Sequence, residues 1–579
     1  MWRSATKARR CACATIRDTP STIQPVGTHQ GRADRWAVQL LFAVIATLAI
    51  TPLFLYGNAG GHDSAFHFSS WVEATHQWRE GTFYPRWAGA ANYHLGEPRF
   101  IFYPPLSSML GAALSVVFPW KMVPGAFIWL TFVLAGNSMR IFALEFLSPN
   151  EATAAGLLYL ASPYNFVNAY TRCDFSEFLA AAIFPLLVWA ALRKVRDNRL
   201  SFMPIAAVLA AIWLTNAPAA VIATYSLWML LVIRSVVVRS WQPLRTAALS
   251  SAAGFALAAF YIFPAAWEQR WVHIGRILPS PRFTDQRFLF ATDYNNPDYV
   301  YFLLKLSCVA MVMIGGSAIA AVLTRQLREG KPEAWWPVAG LGAASIMLMF
   351  PVSAVAWRVL PELRLLQFPW RWLFPLGAVG TFLISSAVHQ SRFRRALWMV
   401  LGLAIAALGG GIAVNAVRGS GYAKIDTFAV HFARGYRGVV EYLPLSSSYM
   451  DQEGLPKDIP DVVFAAEDTG GSLPGNPAKI QVLEWLTESK SFKVDSPGPA
   501  QITLRLLAYP AWEVKLNGST ITSRGKEKTG QIIFSVPSGV SLVQVRFKRT
   551  WDRWFGIAVS IGTCVVLAFV GIALRRREN

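Results

Sequence analysis

Apolar segments long enough to cross a membrane recur along most of this chain. A hydrocarbon core of about 30 Å requires about 20 apolar residues in a helix. Only 15% of the 579 residues are charged, whereas soluble proteins carry about 25%. We therefore predict a polytopic α-helical membrane protein. The candidate segments are 36–56, 100–119, 121–147, 151–170, 175–192, 201–216, 217–233, 245–266, 299–324, 334–350, 370–389, 395–414 and 554–574.

The distribution of basic residues predicts the topology. The net charge is +21, but the basic residues form short clusters between apolar segments, as cytoplasmic loops do. A nucleic-acid-binding protein would concentrate them on one soluble face, so we expect no nucleic-acid partner. If all thirteen segments span the membrane and the N-terminus is cytoplasmic, these clusters lie outside. If 100–119, which contains Pro104-Pro105, does not span, all of the clusters and both termini lie in the cytoplasm. We predict about twelve spans, with 100–119 as a re-entrant or juxtamembrane helix in a bacterial plasma membrane.

This topology divides the chain into four parts. Residues 1–35 form a disordered basic cytoplasmic tail, and 36–417 form the transmembrane domain with a first outer loop at 57–121. Residues 418–553 alternate apolar and polar side chains at 501–507, 512–516, 531–536 and 541–547, and Asn517-Gly518 favours a type I′ hairpin. They predict a small extracytoplasmic β-sandwich-like domain. Residues 554–579 supply the final span and a basic cytoplasmic tail.

The first outer loop contains the leading catalytic candidate. Asp63 and His67 share one face if 64–80 is helical, and apolar residues such as Phe68 and Trp71 form the opposite face of a helix on the membrane surface. Asp63 suits a general base or a metal ligand, and the N-cap of the helix is an equal alternative. His67 is a weaker catalytic candidate, because an interfacial histidine is more often a hydrogen-bonding residue.

Two further charged motifs fall on the same predicted side. Arg172 is followed by Asp174 and Glu177. The two acids fit a D-x-x-E capping box, whereas an arginine beside them suits a phosphate leaving group. Arg371 enters a span, where a charge requires an anionic partner. A lipid phosphate is one candidate, and a snorkelling interfacial arginine is the alternative.

Motifs for nucleotide and redox cofactors are missing from the sequence. We find no Walker A loop, no G-x-S-x-G, no H-E-x-x-H and no C-x-x-C. We therefore expect no ATP or nicotinamide cofactor. A divalent metal at the outer acids stays an open alternative.

Several segments together resemble a known superfamily. They are 61–106 (GHDSAFHFSSWVEATHQWREGTFYPRWAGAANYHLGEPRFIFYPPL), YTRCDFSEF from Tyr170, LLQFPWRWL from Leu365, EYLP from Glu441 and YPAWEVKLNG from Tyr509. They are similar to those of the C-type (GT-C) membrane glycosyltransferases, and within them to the bacterial YfhO-type and "6-pyruvoyl-tetrahydropterin synthase-related" membrane proteins. The similarity spans about 36–579, and it does not imply pterin chemistry.

The resemblance implies a reaction and roles for the charged residues. It implies transfer of a sugar from a polyprenyl-phosphate-linked donor to a glycan, lipid or protein acceptor on the outer side, among membrane lipids. Asp63 matches the first-loop catalytic acid, and Asp174 or Glu177 matches the second acidic turn. Arg172 and Arg371 would contact the donor phosphate. The single Asp63, in place of a paired D-x-D or D-E, leaves metal dependence open.

Two other functions stay open from the sequence. A transporter or flippase of lipid-linked glycans would place ionisable residues near mid-span and pair broken helices. A non-catalytic envelope-assembly protein would tolerate loss of Asp63.

Overall fold

The computed structural model describes residues 32–193, 201–277, 284–292, 296–419, 432–447, 460–466 and 479–578. The predicted tail at 1–35 falls almost wholly outside this part of the chain. The helices are α1 (Arg32–Tyr56), α2 (Ser64–Arg79), α3 (Ala91–His94), α4 (Arg99–Phe102), α5 (Pro105–Val117), α6 (Val123–Leu144), α7 (Pro149–Leu160), α8 (Pro163–Phe166), α9 (Phe175–Leu192), α10 (Phe202–Trp213), α11 (Ala217–Val238), α12 (Gln242–Leu257), α13 (Ala259–Glu268), α14 (Pro297–Leu323), α15 (Arg325–Gly330), α16 (Pro332–Leu348), α17 (Ala354–Val359), α18 (Leu373–Gln390), α19 (Arg394–Gly419) and α20 (Trp551–Glu578).

The long apolar helices confirm the polytopic helical class. Within the described ranges, eight helices are long and apolar enough to cross a membrane: α1, α6, α9, α11, α14, α18, α19 and α20. Two bent pairs, α12 with α13 at 77° and α16 with α17 at 95°, raise the number to at most ten. The remaining predicted spans are shorter. α10 has 12 residues, roughly 18 Å of helix, and α7 ends before Pro163, which starts α8.

The segment 100–119 forms no helix of spanning length, as predicted. The chain leaves the helical conformation at Tyr103 and Pro104 and then forms α5, which has 13 residues. α5 packs closely across α2, since a side chain at Gly111 would overlap the ring of Trp71. This contact corrects one prediction. The apolar face of α2 does not lie on a membrane surface, because Phe68 and Trp71 are fully buried, with Trp71 against α5 and α6 and Phe68 stacked on Phe175 of α9.

The C-terminal region forms a two-sheet antiparallel sandwich. Its strands are β1 (Val462–Ala466), β2 (Lys479–Trp485), β3 (Ser489–Ser496), β4 (Ala500–Leu507), β5 (Trp512–Leu516), β6 (Ser519–Ile521), β7 (Arg524–Gly525), β8 (Gln531–Val536) and β9 (Gly539–Phe547). The sheet orders are β1-β4-β8-β7 and β2-β3-β9-β5-β6. Asn517 and Gly518 have φ of 51° and 86°, as a type I′ turn requires. The predicted β domain before the last span is confirmed.

The sandwich is docked on the first loop. Trp87 is fully buried, with its ring 5.4 Å from that of Trp512 and 5.6 Å from that of Phe547. Arg86 forms an ion pair with Glu488 beside it. The first loop therefore links the membrane helices to the sandwich, and it helps to enclose the site described next.

Candidate active site

Asp63 stands at the N-cap position of α2 but does not cap it. The N-cap alternative is right about this position, but the side chain of Asp63 makes no capping hydrogen bond. Its backbone N–H donates instead to the carbonyl of Arg172 at 2.8 Å. Gly61 permits this approach, because a Cβ there would lie 2.6 Å from the Thr171 carbonyl oxygen. The first loop and the turn at Arg172 are thereby joined, although they are far apart in the sequence.

The second acidic turn has two functions at once. A π-helical turn, Val167–Arg172, is followed by Cys173 at φ 54° and by Asp174, the N-cap of α9. Asp174 Oδ1 accepts from the Glu177 N–H at 2.9 Å, as the capping alternative requires. Asp174 Oδ2 accepts from Arg172 Nη2 at 2.8 Å. Capping therefore leaves one carboxylate oxygen of Asp174 for the charged cluster.

Two arginines hold the buried acids. Arg172 Nη1 lies 2.8 Å from Glu177 Oε2, and Arg371 Nε lies 2.9 Å from the same oxygen. Arg371 Nη2 is 3.8 Å from Asp174 Oδ2. The Arg371 side chain is only 8% exposed, so it does not snorkel. The ring of Trp370 lies 4.7 Å under the Arg172 guanidinium, a contact that the sequence motifs did not indicate.

Asp63 is the surplus charge of this cluster. With Asp174 and Glu177 it supplies three carboxylates against the two guanidinium groups, so the formal sum is −1. Its Oδ2 is 3.7 Å from Arg172 Nη2, and its side chain is 43% exposed, against 5% for Asp174. Asp63 is therefore the most open carboxylate of the three and the least tightly paired.

The protein moves the pKa values of the two aspartates in opposite directions. Desolvation raises the pKa of Asp63, the charge of Asp174 adds to this, and Arg172 opposes it. Since Asp63 keeps an accessible side, water moderates the desolvation. Burial also acts to raise the pKa of Asp174, but Arg172 beside it holds that pKa well below its usual range. Divergent pKa values in neighbouring acids are typical of acid–base sites.

His67 lies against the cluster without a close polar contact. Its side chain is 1% exposed, and Nε2 is 3.6 Å from Asp174 Oδ1. Neither ring nitrogen makes a hydrogen bond within the described part of the chain. The ring packs edge-on against Phe175 at 5.5 Å. Its nearest charged group is therefore Asp174 and not Asp63.

A cavity of about 540 Å³ opens beside the cluster, within the size range of small-molecule sites. Asp63, His67, Asp174 and Arg371 line it, whereas Arg172 and Glu177 do not. Most of the other lining residues are apolar, and they come from distant parts of the chain: Phe102, Tyr103, Trp213, Val221, Tyr261 and Ile262. Glu441 also lines this cavity, and the sequence indicated it only as part of the EYLP motif.

The acids do not form a metal-ligand set. Within the residues that the structure describes, no group of three His, Cys, Asp or Glu side chains is arranged to hold a metal ion. The oxygens of Asp174 and Glu177 face guanidinium groups instead. We therefore derive no step through a metal.

Fold and site define a polytopic membrane protein with an extramembrane β sandwich above a buried acid–arginine cluster. The model of the 6-pyruvoyl-tetrahydropterin synthase related domain, described as a membrane protein, matches residues 100–417. The chain belongs to this family, as its motifs predicted.

Solved structures of glycosyltransferases are similar to this chain at low identity. ArnT from Cupriavidus metallidurans in the apo state is 14% identical, with 70% of this chain and 69% of that chain covered and a TM-score of 0.43. The Archaeoglobus fulgidus oligosaccharyltransferase is 13% identical, with coverages of 72% and 62% and a TM-score of 0.43. The arabinofuranosyltransferase AftD from Mycobacteria is 14% identical, with coverages of 67% and 27% and a TM-score of 0.42. No curated protein sequence matches significantly.

Proposed function

We propose that this protein is an inverting GT-C-type glycosyltransferase. It transfers a sugar from a polyprenyl-phosphate-linked donor to a hydroxyl group of a glycan, lipid or protein acceptor. The observation that carries the proposal is the state of Asp63, an incompletely paired carboxylate that faces the cavity. The other two acids of the cluster, Asp174 and Glu177, are paired with its two arginines. The motifs shared with GT-C enzymes support the choice of donor.

Asp63 is the proposed general base. A base must be deprotonated and must reach the acceptor hydroxyl directly or through one water. Asp63 is accessible from the cavity, and Arg172 at 3.7 Å favours its charged form. Asp174 is a poorer base, because its oxygens are occupied by Arg172, Ser176 and the Glu177 N–H.

The two arginines take different roles in this proposal. Arg371 lines the cavity and is the proposed contact of the donor phosphate, since a guanidinium group suits phosphate oxygens. Arg172 lies behind the wall and positions Asp63 and Asp174. Glu177 pairs with both guanidinium groups, and His67 packs beside Asp174, with Nε2 3.6 Å from Oδ1.

The proposed step is a single displacement. The acceptor oxygen forms a bond to the anomeric carbon of the sugar while the bond from that carbon to the phosphate oxygen breaks. The acceptor proton passes to Asp63, and the polyprenyl phosphate leaves with the bonding electron pair. Fixed positive charge at the leaving phosphate, from Arg371, stabilises the transition state without reorganisation.

We place the site and the sandwich on the extracytoplasmic side and both termini in the cytoplasm. The support is the positive-inside pattern of the basic clusters. The Ser519→Cys variant, in the exposed β5–β6 hairpin, should react at this position with a membrane-impermeant maleimide in intact cells. Reaction only after the cells are opened would show that the sandwich lies on the cytoplasmic side, which is the opposite of the proposed topology.

The proposal is tested by Asp63→Asn. The purified wild type should transfer label from polyprenyl-phosphate sugars, and Asp63→Asn should lose transfer by at least about 100-fold. Asp495→Asn, an exposed aspartate on β3, is the matched control and should keep wild-type activity. Unchanged transfer by Asp63→Asn would reject the assigned base, and no transfer by the wild type would favour the non-catalytic envelope-assembly alternative.

The transporter alternative receives less support. It requires paired broken helices, for which the two bent pairs are candidates, and also ionisable groups near the middle of the spans. Asp63 lies beyond α1, Asp174 and Glu177 lie at the start of α9, and Arg371 precedes α18. The charged cluster therefore sits at helix ends, beside a cavity that the first loop and 439–442 help to enclose.

A further inference from the structure

A second acid enters the cavity from a distant part of the chain. Glu441 lies on the 3₁₀ turn Val440–Tyr442, which follows α19 in the sequence. It lines the same cavity as Asp63. The cavity is therefore bordered by a carboxylate on the first loop and by another on the segment that leads to the sandwich.

The backbone around Glu441 is fixed on both sides. The Val439 N–H donates to Glu97 Oε2 of the first loop at 2.8 Å. The His273 N–H donates to the Leu443 carbonyl at 3.1 Å. These hydrogen bonds attach the turn to two separate loops, so Glu441 stands at a defined place in the cavity wall.

Glu441 differs in its surroundings from the other acids near this cavity. Glu362 is exposed, whereas Glu441 is half-buried and has no side-chain partner. Glu97 receives Arg99 Nε at 2.8 Å, and Glu177 lies between two arginines. Among the described residues, no side chain approaches the Glu441 carboxylate within hydrogen-bond or ion-pair distance. Burial raises the pKa of Glu441, and the negative charge of Glu97 raises it further. The hydrogen bond from its own N–H and the positive charge of Arg99 act to lower this pKa. A half-buried carboxylate whose one donor is its own N–H is costly, which points to a ligand that supplies further donors.

We propose that Glu441 binds hydroxyl groups of the acceptor and makes the site selective for a polyhydroxylated, saccharide acceptor. This inference rests on the proposed function. A carboxylate accepts from two neighbouring hydroxyl groups at once, which a simple alcohol does not offer. The aromatic rings of Phe102 and Tyr442 beside it, stacked at 5.7 Å, provide the apolar surface that commonly accompanies a few fixed polar groups in ligand sites.

The kinetic test compares two kinds of acceptor. Methyl glycosides of glucose, mannose and arabinofuranose are the saccharide probes, and n-octanol is the single-hydroxyl probe. Glu441→Gln should raise the KM for the accepted methyl glycoside at least about 10-fold, the loss expected for a hydrogen bond to a charged group. The KM values for n-octanol and for the donor should stay unchanged, and Glu441→Asp should recover part of the loss. Glu484→Gln, at an exposed glutamate on β2 of the sandwich, is the matched control.

A binding measurement separates this inference from the proposed function. Calorimetric titration of the same methyl glycosides into the full-length protein in nanodiscs requires no turnover. Glycoside binding to the wild type, weakened at least about 10-fold in Glu441→Gln, supports the inference. Equal binding by both proteins, or none by either, overturns it. Loss of transfer in Asp63→Asn together with an unchanged acceptor KM in Glu441→Gln would also overturn it and leave the proposed function standing.

Discussion

The charge balance around Arg172 makes a quantitative prediction. Arg172 is 2% exposed and lies 2.8 Å from both Asp174 and Glu177. Arg172→Gln changes the formal charge of the cluster from −1 to −2 and leaves two buried carboxylates with only Arg371 to pair them. Removing one partner of a buried ion pair costs about 3–5 kcal/mol, because the remaining charge is desolvated without compensation.

A second substitution distinguishes charge from packing. In Arg172→Gln/Glu177→Gln the formal charge returns to −1, so the double variant should recover most of the lost stability. We expect thermal unfolding in detergent, followed by tryptophan fluorescence, to show a clear fall in Tm for the single variant and a smaller one for the double variant. Replacing both members of a buried pair is often close to neutral.

The control is a surface arginine–glutamate ion pair with a similar N–O distance. Arg325 and Glu329 lie 2.7 Å apart with side chains 75% and 59% exposed, and exposed pairs contribute little. Arg325→Gln should leave Tm unchanged. A single variant at Arg172 that is as stable as the wild type, or a double variant no better than the single one, would refute this account of the cluster.

Three further predictions concern the site and its support. Burial raises the pKa of Asp63, and the base must be deprotonated. In a pH profile, kcat/KM should therefore fall on the acid side at a pH above about 3.9, the usual pKa of aspartate. A fall in kcat/KM only at or below that pH would contradict this. Gly61→Ala should reduce transfer, since its Cβ would lie 2.6 Å from the Thr171 carbonyl oxygen; wild-type rates would show that the close approach is unimportant. Arg86→Gln should remove about 1.5–3 kcal/mol of stabilisation from the contact with Glu488. Hydrogen exchange in the first loop and in β3 should then become faster. Unchanged exchange would show that this ion pair does not hold the sandwich on the first loop.

Much of the fold could be predicted from local sequence patterns. Long apolar segments and the hairpin at Asn517-Gly518 depend on length, composition and turn chemistry, which are local properties. The 77° bend between α12 and α13 and the shortness of α10 depend on packing. The burial of α2 also depends on packing, because α5 covers the apolar face that we predicted to lie on the membrane surface.

The site was predictable only in part for a similar reason. The residues Asp63, Arg172, Asp174 and Arg371 were recognisable as charges at predicted helix ends, and the topology placed them on one side. Their convergence within 4 Å depends on how distant helices pack. Glu441 has no local signal of this kind, since it is an acid in an irregular segment and its significance comes from the cavity that surrounds it.

The central claim is that Asp63 removes the acceptor proton while other residues bind the donor. Donor Kd and single-turnover transfer rate, measured side by side on the wild type and Asp63→Asn in nanodiscs, test it most directly. We expect a donor Kd within a few-fold of the wild type and a transfer rate lower by at least about 100-fold. Equal transfer rates in the two proteins would contradict the claim.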